Sequence, residues 1–123
     1  MKQMLRLFTV LALVGITTAA IAQKPKIVFE ELEHDFGSFK ESDGSQTTTF
    51  KFTNKGETPL VLNNVRASCG CTTPKWTRQP VAPNAEGEIQ VSYNPKNRPG
   101  SFNKTVMVTS NAENGTTVLR IRG

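Results

Sequence analysis

The chain has 123 residues, room for one domain behind a short leader and not for two domains of ordinary size. Fifteen Lys and Arg stand against ten Asp and Glu, a formal net charge of +5, with the signs interspersed. So weak an excess, with no basic helix and no aromatic-basic stripe, argues against a nucleic-acid-binding protein.

The first residues have the three regions of a secretory signal. Lys2 and Arg6 make a basic start, Leu7 to Ile16 is almost wholly apolar, and Thr17 to Ala22 is small, ending Ala20-Ile21-Ala22. The pattern predicts a signal peptide over residues 1–22, and one domain over residues 23–123. The apolar run is shorter than the roughly 20 residues a spanning helix needs, and no stop-transfer charge cluster follows it, so an uncleaved anchor is the poorer reading. No cysteine stands at the cleavage point for lipid attachment. A periplasmic or extracellular protein with no membrane span after cleavage is expected. Without Lys2 and Arg6, thirteen basic side chains remain against ten acidic ones.

Beyond the leader, Gly, Pro, Asn and Ser separate short runs rich in Val, Phe, Thr and Ile, and no helical period lasts a dozen residues. That is the pattern of an all-β sandwich or barrel. Ile27 to Glu30 reads as a first strand, and Leu32 to Phe36 as a continuation with shifted inward parity, a bulge or a switch between sheets, closed by Gly37. Gln46 to Thr53 alternates, with Thr48, Phe50 and Phe52 on one face, and Asn54-Lys55-Gly56 is a turn signal. Leu60 and Leu62 share a face before Asn63-Asn64 interrupts. Val65, Ala67, Cys69 and Cys71 then fall on one parity if the chain stays extended, which would point both thiols the same way.

Thr73 to Pro83 holds Pro74, Pro80, Pro83 and Trp76, the one tryptophan. It reads as an irregular crossing between sheets, with Trp76 as a lid on the core. Ile89, Val91 and Tyr93 alternate with polar residues in a strand ending at Asn94-Pro95. Phe102 to Ser110 and Thr116 to Arg122 are the last two strands, joined through Asn114-Gly115, a dipeptide suited to the positive φ angles of a tight hairpin. About seven strands result, with no internal repeat and no linker.

Phe52-Thr53-Asn54-Lys55-Gly56 with Pro59-Leu60, then Cys69-Gly70-Cys71-Thr72, then Val91-Ser92-Tyr93-Asn94-Pro95 with Gly100-Ser101-Phe102, and finally Val108-Thr109-Ser110-Asn111, occur in a telling order. Together they resemble the secreted bacterial family called domain of unknown function 1573, from about Ile27 to Gly123, with the Cys-Gly-Cys-Thr element the most specific part. The resemblance implies an immunoglobulin-like antiparallel β-sandwich, similar to domains of the ASPM, SPD-2 and Hydin type and to the major sperm protein and PapD group, and an envelope location. It implies no activity. One departure is Pro83-Asn84-Ala85-Glu86, standing where such families have a proline-glycine turn.

Cys69 and Cys71 are the only cysteines, and an oxidising compartment favours their pairing. Residues two apart in an extended strand are about 6.6 to 6.8 Å apart, at the long edge of what a disulfide accepts. Closure therefore calls for a contracted backbone, which Gly70, lacking a Cβ, could permit. Across so short a loop the bond removes little unfolded-state entropy and makes a weak, comparatively reducible staple. Two buried thiols packed as small hydrophobes are a second reading. A copper or zinc site is a third, with His34 and Met107 as the other soft or borderline side chains. A redox site is the fourth, although the thioredoxin-type spacer and βαβ context are absent.

Other features have plainer readings. His34, the one histidine, would have to serve any hydrolase triad, yet no nucleophile elbow accompanies it. Glu30, Glu31, Glu33 and Asp35 are neighbours in one strand rather than carboxylates opposed across a cleft, and edge charges deter aggregation. Asn103-Lys104-Thr105 and Asn114-Gly115-Thr116 match a glycosylation triplet of little weight in a chain with bacterial resemblance. The expectation is a non-enzymatic binding or structural module without cofactor, recognising a protein or envelope component through end loops or an unpaired edge strand. Trp76 and Arg78, in the segment from Cys69 to Arg78, are the expected partner contacts. A thiol-dependent metal or redox protein using Cys69 and Cys71 is the alternative, discriminated by metal content and thiol reactivity.

Overall fold

The computed structural model describes residues 24–123; the expected signal peptide, residues 1–22, lies outside the described residues. Within them the alternating runs become eight strands: β1 (Ile27–Phe29), β2 (Glu33–Asp35), β3 (Gln46–Asn54), β4 (Leu62–Ala67), β5 (Thr72–Trp76), β6 (Glu86–Tyr93), β7 (Asn103–Ser110) and β8 (Thr116–Arg122). They form two four-stranded sheets, in the orders β1-β3-β6-β5 and β2-β8-β7-β4. The first is called sheet A and the second sheet B.

Period-2 alternation packs the two sheets face to face. Phe50 and Phe52 on β3, Ile89, Val91 and Tyr93 on β6, Val106 and Val108 on β7, and Leu119 and Ile121 on β8 are all buried in one core. Burying each of the larger apolar side chains contributes about 1.5 to 3 kcal/mol. The long central pairs carry the registers Phe50↔Ile89 in sheet A and Val106↔Leu119 in sheet B.

The shift of parity after Ile27 to Glu30 is a switch between sheets: β1 pairs with β3 in sheet A and β2 with β8 in sheet B. The eight strands among the described residues agree with the seven or so expected of the sandwich; one correction is that it is not wholly antiparallel, because β2 runs parallel to β8. The bonds Arg120 N–H to Leu32 O (2.9 Å) and Phe36 N–H to Arg122 O (2.8 Å) hold that pairing. On the same edge Arg122 Nε lies 2.6 Å from Glu33 Oε1, so part of the acidic run is an exposed strand face paired with arginine.

A further correction concerns Thr73 to Pro83. Its first part is not an irregular crossing but the edge strand β5, paired with β6 from Thr72↔Tyr93 to Trp76↔Ile89. Asn94 N–H bonds Cys71 O and Thr77 N–H bonds Glu88 O. Alternation therefore turns the backbone of Cys71, Thr73, Lys75 and Thr77 toward β6, and that of Thr72, Pro74 and Trp76 toward the free edge. Pro74 is accommodated because the ladder needs no N–H from it.

The polar interruption at Asn63-Asn64 is also explained. The β4–β7 register slips between Leu62 and Asn64, placing Asn63 as the extra residue of a bulge on the edge strand. Asn114-Gly115 is part of the β7–β8 loop, but only Gly115 takes a positive φ, +42°. The Asn114 side chain instead reaches across to β1, where Nδ2 donates to Ile27 O at 3.1 Å.

Candidate functional site

One end of the sandwich gathers the loops that carry chemistry. β4 ends and β5 begins there, joined by Ser68 to Cys71, so this segment is the corner where the chain passes from sheet B to sheet A. The loop after β2 and the loop from Asn94 to Phe102 open at the same end, because Gln46 pairs with Tyr93 and Asn103 with Arg122.

At the corner the backbone turns rather than staying extended. Thr72 N–H donates to Cys69 O at 3.3 Å, and the Cα atoms of Cys69 and Cys71 are 5.3 Å apart, with their Sγ atoms at disulfide distance. The contraction is the one closure demands. Its expected cause is not what the structure contains: Gly70 has no positive φ, and a Cβ there would meet nothing within 4 Å. Glycine is not sterically required. Cys71 is 4% exposed whereas Cys69 is half-buried. Cys71 N–H donates to Cys69 Sγ at 3.2 Å, and the Thr72 hydroxyl lies 3.7 Å from Cys71 Sγ and 3.9 Å from Cys69 Sγ.

The structure does not bring the other proposed ligands to this corner. His34 sits on β2 with its ring edge-on to Phe36, centroids 4.7 Å apart. Met107 is exposed on the outer side of sheet B, beside its register partners Arg66 and Val118. Among the described residues, no three or more His, Cys, Asp and Glu side chains are grouped to hold a metal ion.

Next to the corner is a cleft that sequence reasoning missed. Tyr93 and Phe102 stack at 3.8 Å with ring planes 12° apart, and Phe39 meets Phe102 edge-on at 6.0 Å. Together with Pro95, Arg98, Pro99 and Ser101 they line a cavity of about 420 Å³, inside the usual range for a ligand pocket. Its walls are tied together: Asn97 N–H donates to Glu41 Oε1 at 2.7 Å, and Arg98 Nη1 donates to Lys96 O at 3.1 Å. The available signal was three phenylalanines, Phe36, Phe39 and Phe102, placed in or beside Gly- and Ser-containing loops rather than within alternating strands.

Trp76 and Arg78 lie toward the other end of β5. Trp76 is half-buried against the core, as a lid should be, and the Arg78 guanidinium stands 3.8 Å from the Trp76 ring centroid. The strand itself is a poor template for an added chain, since Pro74 removes a donor from its free edge.

The family described as "protein of unknown function (DUF1573)" matches residues 27–123, which includes the corner, the cleft and every strand. The chain belongs to this family. No curated protein sequence matches it. Among solved structures, this DUF1573 chain is similar to a protein of unknown function from Porphyromonas gingivalis W83, at 14% identity and a TM-score of 0.74, over 86% of this chain and 50% of that one. The chain thus spans half the length of that relative. It is also similar to the ASH/PapD-like domain 7 of human CEP192, at 8% identity and a TM-score of 0.62, over 94% and 96% of the two chains. A third likeness, to the secreted serine protease VesC from Vibrio cholerae, has 16% identity and a TM-score of 0.55, over 79% and 22%. The likeness to the CEP192 domain agrees with the immunoglobulin-like sandwich of two four-stranded sheets. At Pro83-Asn84, where the resemblance implies a proline-glycine turn, this DUF1573 chain also turns: Ala85 N–H bonds Ala82 O at 2.9 Å, and Asn84 at φ +66° takes the position that favours glycine in a type II turn.

Proposed function

We propose that this chain is an exported, non-enzymatic binding module of the bacterial envelope that seats an apolar side chain of a partner polypeptide in the Phe39–Tyr93–Phe102 cleft. The single observation carrying the reading is that cleft: a loop-built cavity of about 420 Å³ with an aromatic floor, at the end of a rigid sandwich. Loops held by a scaffold are where such folds place recognition. Its floor presents stacked aromatic rings beside Pro95 and Pro99, and Arg98 Nη1 is bonded to the carbonyls of Asn94 and Lys96, which suits an apolar anchor. The signal-like start supports export to the periplasm or beyond. The non-enzymatic reading is supported by the placement of His34, whose ring packs edge-on against Phe36 and does not line the cleft. No nucleic acid, membrane span or cofactor enters the proposal.

A second contact surface has its own observation, the Arg78 guanidinium stacked on Trp76. Trp and Arg are the residue types that dominate binding hot spots, and the stack holds both in place before any partner arrives.

Site-directed photocrosslinking in intact cells separates the two. A photoreactive side chain is placed at Ser101 on the cleft rim, at Arg78, or at Val118 on the outer side of sheet B. A discrete protein adduct from Ser101, abolished by the cleft-filling change Ser38→Trp and absent from Val118, is the expected result. An adduct from Arg78 alone would move the contact to the Trp76 edge, and adducts from no position, or equally from all three, would sink the binding-module reading.

A further inference from the structure

We propose that Cys69 and Cys71 form an exchange disulfide that takes two electrons from the dithiol of another exported protein, an activity separate from binding at the cleft.

The bond is a poor candidate for a structural staple. It closes a loop of three residues, and such a loop removes little entropy from the unfolded chain. The corner is also held without it: Ser68 N–H bonds Thr105 O at 2.9 Å, Asn94 N–H bonds Cys71 O at 2.8 Å, and Thr72 N–H bonds Cys69 O. These bonds tie the corner to both sheets, to β7 on one side and to the end of β6 on the other. With the S–S bond broken they keep the two sulfurs facing each other, which is what reversible exchange requires.

The two sulfurs are unequal, and the inequality sets the order of events. Cys69 is half-buried beside exposed Gly70, where a would-be Cβ meets nothing within 4 Å, so an incoming thiolate reaches Cys69 first. Cys71 is buried and is the leaving sulfur. Exchange rates depend on access to the attacked sulfur and on how well the leaving thiolate is stabilised. Both sulfurs have a neighbouring donor: the Thr72 hydroxyl at 3.7 Å from Cys71 Sγ, and the Cys71 N–H at 3.2 Å from Cys69 Sγ.

In the first step a partner thiolate attacks Cys69 Sγ. A partner–Cys69 disulfide forms, the Cys69–Cys71 bond breaks, and its electron pair leaves on Cys71 Sγ as a thiolate beside Thr72, which takes a proton from solvent. In the second step the partner's other thiolate attacks the partner sulfur of the mixed disulfide. The partner's own disulfide forms, and Cys69 leaves as a thiolate and is protonated in turn. The partner has lost two electrons and two protons, and Cys69 and Cys71 hold them as two thiols.

The test uses the protein recovered from an export-competent host, incubated without denaturant in graded reduced and oxidised glutathione, then alkylated and weighed intact. Near-ultraviolet circular dichroism of Trp76 and Tyr93 reports folding on the same samples. The expected result is a pair oxidised as isolated and half-reduced within the glutathione range, where structural disulfides of secreted proteins stay closed, with the circular dichroism unchanged. Cys71→Ser, which leaves Cys69, should form its glutathione adduct at least about tenfold faster than Cys69→Ser, which leaves the buried thiol. Free thiols in the isolated protein, reduction only on unfolding, or equal adduct rates would each overturn the proposal. Because the cleft takes no part in these readouts, their failure leaves the crosslinking result untouched.

Discussion

Phe52 occupies the space that a side chain on its register partner Gly87 would need: a Cβ built at Gly87 would stand 2.8 Å from Cε2 of the Phe52 ring. The ring is fully buried at the centre of sheet A and is backbone-backed on that side only because β6 carries glycine there. Glycine in a strand interior often marks such a close approach. Gly87→Ala should therefore overpack the core and lower stability by about 1 to 3 kcal/mol. The measurement is urea unfolding, where the midpoint falls at unchanged slope. A variant as stable as the parent would show that Phe52 can move aside.

Asn54 is the polar counterpart in the same core. Its side chain is wholly buried and makes four hydrogen bonds: Nδ2 donates to Thr58 O (2.8 Å) and Val81 O (2.9 Å), and Oδ1 accepts from Gly56 N–H (2.9 Å) and Lys26 N–H (3.2 Å). It thereby fastens the segment before β1, the turn after β3 and Val81, which pairs with Leu60 through two backbone hydrogen bonds, to one point. Asn54→Ala leaves the part-buried Gly56 and Lys26 N–H donors and the Thr58 carbonyl without this partner, and Val81 O with only its bond from Leu60 N–H, and should cost about 2 kcal/mol. Asn54→Asp keeps the size but turns a carboxylate oxygen toward two carbonyls, so it should fare no better. Rescue by Asp would contradict this assignment of the amide.

Much of this was legible in the alternation. The strands from Gln46, Glu86, Asn103 and Thr116 follow from period-2 patterns because each has one buried and one solvated face, and Trp76 does cover the core. The shifted parity after Glu30 disclosed a change of sheet, but not that β2 would run parallel to β8, since direction depends on a partner some ninety residues away. Prolines hid β5, because local chemistry does not distinguish a free edge from an irregular crossing. The cysteine corner could be seen as a pair, whereas the unequal burial of Cys69 and Cys71 arises only in the folded corner. The aromatic cleft was hard to read for a similar reason: Phe39 is more than fifty residues from Tyr93 and Phe102 in the chain and meets them only when two loops close over one end.

The turn at Pro83-Asn84 offers a test of how composition and conformation are related in this family. Asn84 holds φ +66° and donates its N–H to Asn54 O at 2.7 Å. Asn tolerates the left-handed region better than other residues with a Cβ, and Gly tolerates it best. Asn84→Gly should leave stability within a few tenths of a kcal/mol of the parent or raise it slightly, whereas Asn84→Ala should lower it by about 1 kcal/mol. Thermal unfolding of the two variants side by side would show it, and equal melting temperatures would mean that the strain is relieved by a change of turn.

At the cysteine corner the corresponding prediction runs the other way. Gly70 lies between the two cysteines, where a glycine would ordinarily be credited with letting the backbone contract. Its φ is not positive and the space where a Cβ would sit is open. The contraction to a Cα–Cα distance of 5.3 Å is accounted for by the turn bond from Thr72 N–H to Cys69 O, which any residue at position 70 leaves in place. Gly70→Ala should therefore change stability by no more than about 0.5 kcal/mol, as for an exposed site without special backbone geometry. Thiol alkylation with intact mass should find the pair as oxidised as in the parent. Free thiols in Gly70→Ala would show instead that glycine sets the geometry of closure, and would require a backbone at residue 70 different from the one seen here.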